Sequence, residues 1–171
     1  ALLLLCSTAS AQTWVQRPGT DHWYALTGQD TLTWLEAESV AVAHGGHLAT
    51  IRSASENQWL VDTFGTSEEM WIGANDIQTE GEWSWVSGEP WNYENWAGGE
   101  PNDCCGGEDW VTLNFPPAGF AGTWNDSNGG GNGSGELCAG ILEILSVDCD
   151  GNGVPDKFEI ITDQDRGCLS R

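Results

Sequence analysis

Residues 33–51 read TWLEAESVAVAHGGHLATI, a stretch that predicts a helix followed by a short strand. Thr33 and Glu36 have the spacing of a capping box, in which each side chain bonds the backbone of the other residue. Trp34, Ala37 and Ala41 are spaced three and four residues apart, so they would form one apolar face of this helix. The Gly-Gly pair after the helix ends it, and HLATI has the composition of a strand.

A second helix is predicted over residues 53–65, SASENQWLVDTFG, because Ser53 and Glu56 repeat the capping-box spacing and Gly65 can end the helix. From Trp71 onward the helical period gives way to short apolar strings, among them MWIGA, EWSWV, DWVTLNF and AGILEIL. Long stretches rich in Gly, Pro, Asn and Asp separate these strings. We therefore expect an α+β domain of two helices and small antiparallel sheets that carry long loops.

The composition limits what this domain can bind. The chain has 171 residues with 26 Asp+Glu against 5 Lys+Arg, a formal net charge of -21, so it should repel nucleic acid and anionic membranes. It is 39% hydrophobic with 11 Trp, which argues against a disordered acidic chain. The acidic surplus favours Ca²⁺ as a partner and is equally consistent with a plain acidic surface of a secreted protein.

The chain opens ALLLLCSTASAQT, an apolar run followed by a small-x-small pattern typical of a signal-peptidase site. We interpret residues 1–11 as a signal-peptide remnant, residues 12–145 as the main domain and residues 146–171 as a tail. No later apolar run has the length of a membrane span, so we expect a secreted protein in a compartment that permits disulfides. Five cysteines remain after cleavage, an odd number.

Oxygen-bearing side chains concentrate in turn-rich sequence between the predicted strands. They are Asp76, Glu80, Glu100, Asn102, Asp103, Glu108, Asp109, Asn125 and Asp126. Hard oxygen ligands on Gly- and Pro-rich loops suit Ca²⁺, which takes six to eight oxygens in a tolerant geometry. Zinc fits poorly, because the three histidines lack the HExxH spacing and the cysteines lack paired CxxC units.

The order of these pieces resembles the C-type lectin domain, from about Gln12 to Glu143. The matching pieces are TWLEAESVAVAHGGHLATI, WIGANDIQTEG, EPND, GED, the WND of GTWNDS, and the closing ILE. The resemblance implies a sugar-binding calcium held by Glu100, Asn102, Glu108, Asn125 and Asp126, and a second, structural calcium held by Asp76, Glu80, Asp103, Glu108 and Asp109. It also implies a preference for the vicinal equatorial hydroxyls of mannose, glucose or N-acetylglucosamine over galactose. Pro101 permits a cis peptide bond in the EPN motif.

The chain departs from the family at its disulfides. The resemblance places apolar Ala41 and Leu142 where the framework disulfide is usual, and Trp110 and Gly129 where the second one is usual. The chain's own cysteines therefore stand elsewhere. Cys104 or Cys105 could pair with Cys138 or with another molecule, alternatives that the sequence leaves open.

The tail contains a second calcium signature, DCDGNGVPDKFE, at residues 148–159. Its ligand positions match an EF-hand-type loop and are Asp148, Asp150, Asn152, the Val154 carbonyl, Asp156 and Glu159. The loop resembles the calcium repeats of dockerin and thrombospondin type 3 modules. A calcium-stiffened tail is the favoured interpretation, with docking to a protein partner as the alternative. Cys149 and Cys168 could close the tail.

The resulting hypothesis is a secreted, Ca²⁺-dependent carbohydrate-binding protein. A calcium-braced adhesion or matrix protein with the same fold is the alternative. Catalysis is not expected, because calcium-bound carboxylates have lowered pKa values and make poor general acids. Trp91 and Trp96 flank the expected site and could serve either as core residues or as platforms for sugar stacking.

Overall fold

The computed structural model describes residues 12–28, 31–104, 107–114, 121–130, 137–146, 148, 151–152 and 154–158. The expected signal remnant, residues 1–11, lies outside these ranges. No helix in the described part of the chain is long and apolar enough to cross a membrane.

The two predicted helices are both present. Helix α1 spans Trp34–Ala43, and the capping box is complete, since Thr33 Oγ1 accepts the Glu36 N–H and the Glu36 carboxylate accepts the Thr33 N–H at 2.9 Å. Its predicted face is buried. Helix α2 spans Ala54–Phe64 with Ser53 as its N-cap. Here the predicted capping box is wrong in one half, because the Glu56 carboxylate points into the core, where it accepts the Arg52 N–H and the Tyr24 hydroxyl.

Within the described ranges, eight strands form one mixed sheet. In chain order they are β1 Val15–Gln16, β2 His22–Leu26, β3 His47–Leu48, β4 Met70–Asn75, β5 Ser84–Trp85, β6 Trp110–Leu113, β7 Trp124–Ser127 and β8 Ala139–Leu145. The sheet order is β1-β2-β8-β4-β6-β7, with β3 paired to β8 and β5 to β4. All pairs are antiparallel except β4 with β8, which run parallel. The prediction of small antiparallel sheets is corrected in this respect. β8 pairs with β2 on one side and with β4 on the other, which makes one sheet.

Packing fills the two pairs of positions where the resemblance implies a disulfide. Ala41 and Leu142, the first pair, are both fully buried in one apolar cluster with Trp71. In the second pair the Trp110 ring lies directly on Gly129, where an added Cβ would stand 2.3 Å from the ring. Apolar contact therefore replaces the covalent link at both places.

The described part of the tail packs on the main domain. The Phe158 ring stacks on Trp14 with centroids 5.3 Å apart, and Lys157 Nζ donates to the Gly45 carbonyl at 2.6 Å, just beyond the end of α1. The tail residues Asp156–Phe158 form a short 3-10 helix. The division at residue 146 stays a prediction.

Candidate functional site

The predicted ligands gather where three neighbouring strands begin or end. Asp76 directly follows β4, Asp109 directly precedes β6, and the Asp76 N–H donates to the Asp109 carbonyl at 3.2 Å. Asn125 and Asp126 lie on β7, which pairs with β6. The two ends of the long connection from β4 to β6, residues 76–109, therefore lie side by side, next to β6. The EPN motif within this connection folds back toward β7.

Asn125 and Asp126 are inside a strand, whereas the sequence placed them in a turn. The residues opposite them on β6 are Thr112 and Val111, and both predicted ligands are buried, at 7% and 1% exposure. Their polarity concealed the strand. Burial in a sheet fixes their backbone positions far more firmly than a loop would.

Asp126 joins the EPN motif to β7. Its Oδ2 accepts the N–H groups of Asn102 at 2.9 Å and Asp103 at 2.7 Å. Its Oδ1 is buried and has no hydrogen-bond donor among the described residues. The expected cis bond is present between Glu100 and Pro101. A buried carboxylate oxygen without a donor is costly unless a cation or a donor reaches it.

Three more predicted ligands lie in the same hydrogen-bonded group. Asn102 Nδ2 donates to Glu100, and the Cys104 N–H donates to both Asn102 Oδ1 at 2.8 Å and Glu108 Oε2 at 3.0 Å. Desolvation, followed by the contact with Asp126 and its negative charge, raises the pKa of Glu100. Within the described ranges, no hydrogen bond joins the Asn125 side chain to this group, although its neighbour on β7 is central to it.

A second group of carboxylates lies beside the first. Asp76 is 1% exposed, and its Oδ2 accepts the Gly81 N–H at 2.8 Å, while its Oδ1 is buried without a donor from the described part of the chain. Desolvation and the charges of Asp76, Asp103 and Asp109 raise the pKa of Glu80. Desolvation and the charges of Asp76 and Asp103 likewise raise the pKa of Asp109. Four of the five residues predicted for the structural calcium therefore interact electrostatically.

Glu108, predicted to serve both ions, connects the two groups. Its N–H donates to Asp103 Oδ1 at 3.1 Å while its side chain accepts from Cys104 in the first group. Asp103 has a φ of 47°, in the left-handed region that non-glycine residues seldom occupy. With this turn, Asn102 belongs to the first group while the next residue, Asp103, interacts with the second.

The donor set fits Ca²⁺, although its side chains do not close around a point. Among the described residues, no three or more His, Cys, Asp or Glu side chains are placed closely enough to hold a metal ion. The fit rests on chemistry: both groups offer carboxylate oxygens, and two buried oxygens, Asp76 Oδ1 and Asp126 Oδ1, lack donors within the described ranges. One such oxygen lies in each group, and the two calcium sites stay a prediction.

The tryptophans around the start of β7 pack as part of the core. Trp124, fully buried at the start of β7, has the rings of Trp91 and Trp96 5.9 and 5.8 Å from its own. Its Nε1 donates to Asn57 on α2 at 2.8 Å. The half-buried Trp91 and Trp96 thus pack on the first residue of β7, which favours the core interpretation of these two residues.

Sequence reasoning missed a buried ionic network around Glu143 on β8. Glu143 is 1% exposed, and it contacts His22, the Arg52 guanidinium at 2.8 Å and the Thr50 N–H at 2.8 Å. Burial alone would raise the pKa of Glu143, but the His22 hydrogen bond and the Arg52 charge hold it below its usual range. The available signal was a lone Glu within the apolar string AGILEIL.

The tail ligands are described only in part. Asp148 Oδ1 accepts the Gly151 N–H and Asn152 Oδ1 accepts the Val154 N–H, each at 2.8 Å. Asp156 begins the short 3-10 helix. The other two predicted ligands, Asp150 and Glu159, lie outside the described residues, so the EF-hand-type loop stays a prediction.

The cysteines are also described in part. Cys104, in the loop next to the EPN motif, is disulfide-bonded. Cys138 is buried at 8% exposure immediately before β8. Cys105, Cys149 and Cys168 lie outside the described residues, and the pairing of the cysteines stays open.

Known proteins are similar to this chain in sequence and in fold. A family model described as the lectin C-type domain matches residues 30–138. The lactose-binding lectin l-2 of Anguilla japonica is 34% identical over 131 residues, covering 74% of this chain and 75% of that protein. The low affinity immunoglobulin epsilon Fc receptor of Mus musculus is 34% identical over 100 residues, or 58% of this chain, which spans only 28% of the receptor.

A solved structure shows the same architecture. The cow carbohydrate-recognition domain of CD23, crystallised in the presence of a GlcNAc2Man3 oligosaccharide, superposes with a TM-score of 0.68 and 29% identity. The match covers 84% of this chain and all of that domain. This chain spans less than two thirds of the length of two further relatives, 36% of one and 61% of the other.

Proposed function

We propose that this chain, which belongs to the C-type lectin domain family, is a secreted protein that binds carbohydrate through Ca²⁺ at the EPN motif and β7. The family is one of non-enzymatic carbohydrate-binding proteins, so no catalytic role is assigned to the carboxylates. The observation that carries the proposal is Asp126. Its carboxylate accepts two backbone N–H groups of the EPN segment through one oxygen and keeps the other buried without a donor from any described residue.

Glu100, Asn102, Glu108, Asn125 and Asp126 would hold the sugar-binding ion. When bound, Ca²⁺ would supply positive charge and open coordination positions to two sugar hydroxyls. Each carboxylate or amide that gives one oxygen to the ion keeps a second polar atom for the sugar. The carboxylate accepts from a hydroxyl and the amide donates to it, so one Glu–Asn pair satisfies both roles of a single hydroxyl. Two such pairs would bind a vicinal diol.

The proposed specificity is for the equatorial hydroxyls of mannose, glucose or N-acetylglucosamine. The acid-then-amide order of Glu100 and Asn102 supports it, as does the mannose-containing oligosaccharide present with the cow domain. The name of the eel relative, a lactose-binding lectin, points the other way. Exchanging Glu100→Gln with Asn102→Asp reverses the pair, and we expect the preference to move toward galactose. An unchanged preference would show that this pair does not read the sugar.

The second group of carboxylates would hold a structural ion. Asp76, Glu80, Asp103, Glu108 and Asp109 would surround it, close to the buried Asp76 Oδ1, and their mutual repulsion would fall on binding a divalent cation. We also propose a third ion in the tail loop, where Asp148, Asn152, Val154 and Asp156 would contribute together with Asp150 and Glu159. The tail would then be stiffened by calcium, with docking to a protein partner as the alternative.

Retention on mannose-agarose tests the proposal. We expect the protein to be retained in Ca²⁺ and released by EDTA, while Asp126→Asn is not retained in either condition. A control variant, Glu68→Ala, removes one exposed charge outside the site and should behave as the wild type. Equal retention in Ca²⁺ and EDTA would contradict the proposal. A glycan array without any calcium-dependent signal would favour the alternative, a calcium-braced adhesion or matrix protein.

A further inference from the structure

Arg52 joins the buried core to the long connection that carries the EPN motif. Its guanidinium contacts two buried carboxylates, Glu56 at 3.1 Å and Glu143 at 2.8 Å. From the same side chain, Nε donates to Glu89 Oε2 at 2.7 Å and Nη2 donates to Glu89 Oε1, which is a two-point contact. Planar pairing of this kind fixes orientation as well as distance.

The segment that contains Glu89 is fixed at two further points. The Val86 N–H donates to the Gly73 carbonyl of β4 at 2.7 Å, and Thr50 Oγ1 donates to Ser87 Oγ at 2.8 Å. Residues 86–89 are thus attached to the sheet and to the segment before α2. Glu89 is the last of these three attachments in chain order.

The tryptophan cluster that contains Trp124 includes Trp91, two residues after Glu89. The Trp91 ring lies 4.8 Å from Trp85 and 5.9 Å from Trp124, centroid to centroid. Trp124 starts β7, and its N–H and carbonyl bond Asn95 and Ala97 of the same connection at 2.9 and 2.8 Å. Through Trp124, Trp91 therefore contacts β7, which carries Asp126. Trp124 in turn bonds the residues that lead into the EPN motif.

We infer that the Arg52–Glu89 pair is a positioning element for the sugar site: it fixes residues 86–89 so that Trp91 packs on Trp124 and thereby holds β7 and the residues that lead into the EPN motif. Glu89 itself is a positioning residue that contacts neither the proposed ion nor the sugar. The inference rests on the proposed function, since its consequence is the affinity of that site.

Glu89 can be tested without unfolding the core. Its side chain is 36% exposed, and Arg52 keeps Glu56 and Glu143 as partners when Glu89 is removed. The same is not true of Arg52, whose removal would take the shared guanidinium from two buried carboxylates, Glu56 and Glu143. Glu89→Ala is therefore the informative variant, Glu89→Gln is the conservative one, and Glu68→Ala is the matched loss of an exposed charge.

The experiment measures three properties of each full-length variant: affinity for Ca²⁺ by tryptophan fluorescence, affinity for mannose in saturating Ca²⁺, and the thermal midpoint in EDTA. For Glu89→Ala we expect affinity for Ca²⁺ to fall by about threefold to tenfold, less than the loss of a group that bonds a metal ligand directly, because Glu89 acts through Trp91 and β7. Glu89→Gln should lose less, because it keeps one hydrogen bond to Arg52. The midpoint should fall by no more than about 4 °C.

Hydrogen exchange separates the attachment of this segment from its effect on the site. In Glu89→Ala the amides of residues 86–97 should exchange faster, while those of β8 stay unchanged. Faster exchange with wild-type affinities would overturn the positioning role, and unchanged exchange would overturn the attachment itself. A wild-type protein that binds neither Ca²⁺ nor mannose would contradict the proposed function instead, and the exchange of residues 86–97 would still decide whether Glu89 holds them.

Discussion

Two clusters of carboxylates in this domain differ in how they are neutralised. The core cluster, Glu56, Glu89 and Glu143, contains every carboxylate that forms an ion pair between two described residues. Its cations belong to the chain, above all Arg52. The loop cluster, made of Asp76, Glu80, Glu100, Asp103, Asp109 and Asp126, has N–H groups and no cationic side chain as partners within the described ranges. Two of its buried oxygens lack donors there.

The difference shows in the pKa values. In the core cluster the pKa of Glu143 is held below its usual range although the residue is almost fully buried, because His22 and Arg52 outweigh the cost of burial. In the loop cluster the pKa values of Glu80, Glu100 and Asp109 are all raised by desolvation and by neighbouring carboxylates. One cluster is complete within the folded chain, and the other would be completed by a cation from solution.

The largest effect is expected where the chain supplies its own cation. Arg52→Met removes the guanidinium that two buried carboxylates, Glu56 and Glu143, share, so the free energy of unfolding should fall by about 3–5 kcal/mol. Arg17→Met is the matched control, because Arg17 is partly exposed and lies 3.5 Å from Glu56, and its loss should cost less than about 1 kcal/mol. Urea unfolding in EDTA measures both. Equal losses would show that Arg52 does not neutralise the core cluster.

Removing one negative charge from each cluster should have different consequences. Glu143→Gln weakens hydrogen bonds that involve charged groups and should cost about 1.5–3 kcal/mol in EDTA. Asp126→Asn relieves repulsion with Glu100 and should change the stability in EDTA by less than about 1 kcal/mol, while it abolishes calcium-dependent retention on mannose-agarose. Comparable losses of stability in EDTA would remove the distinction between the clusters.

A smaller effect is expected in the pH dependence of stability. The pKa of Glu143 in the folded chain is lowered from 4.5, so its ionised form stabilises the fold above about pH 4.5, and this contribution is lost as the pH falls through the lowered value. The amide introduced by Glu143→Gln cannot titrate, and the stability difference between wild type and this variant should therefore shrink below pH 4.5. Unfolding in EDTA from about pH 6 to about pH 3 checks this. A difference that stays constant would mean that Glu143 is not held ionised by its neighbours.

Local signals in the sequence predicted much of this fold. The capping box at Thr33, the helical face that follows it and the Gly-Gly pair were sufficient for α1, because all of them act within a few residues. The string AGILEIL coincides with β8. The parallel pairing of β4 with β8 and the inward turn of Glu56 were not predictable in this way, since both depend on partners far away in the sequence.

For the candidate site, the sequence predicted which residues lie together better than how they are arranged. The EPN, GED and WND pieces proposed the ligands by their order, and the structure places Glu100, Asn102, Glu108 and Asp126 in one hydrogen-bonded group. Their role as ligands stays a prediction. No sequence pattern indicated that WND belongs to a buried strand, because polar residues on β7 do not follow the usual apolar alternation. Nor did any pattern indicate Glu89, whose partner Arg52 stands 37 positions earlier in the chain.

Hydrogen exchange with and without Ca²⁺ tests the central claim most directly. Adding Ca²⁺ to the metal-free wild type should slow exchange of the Asn102 and Asp103 amides and of residues 76–82 and 107–110, and leave the Thr50 amide of the core cluster unchanged. Asp126→Asn should lose the protection of Asn102 and Asp103. Protection confined to the tail, residues 148–158, or absent altogether, would contradict the account, because the loop cluster would then not be the place where this domain takes up its cation.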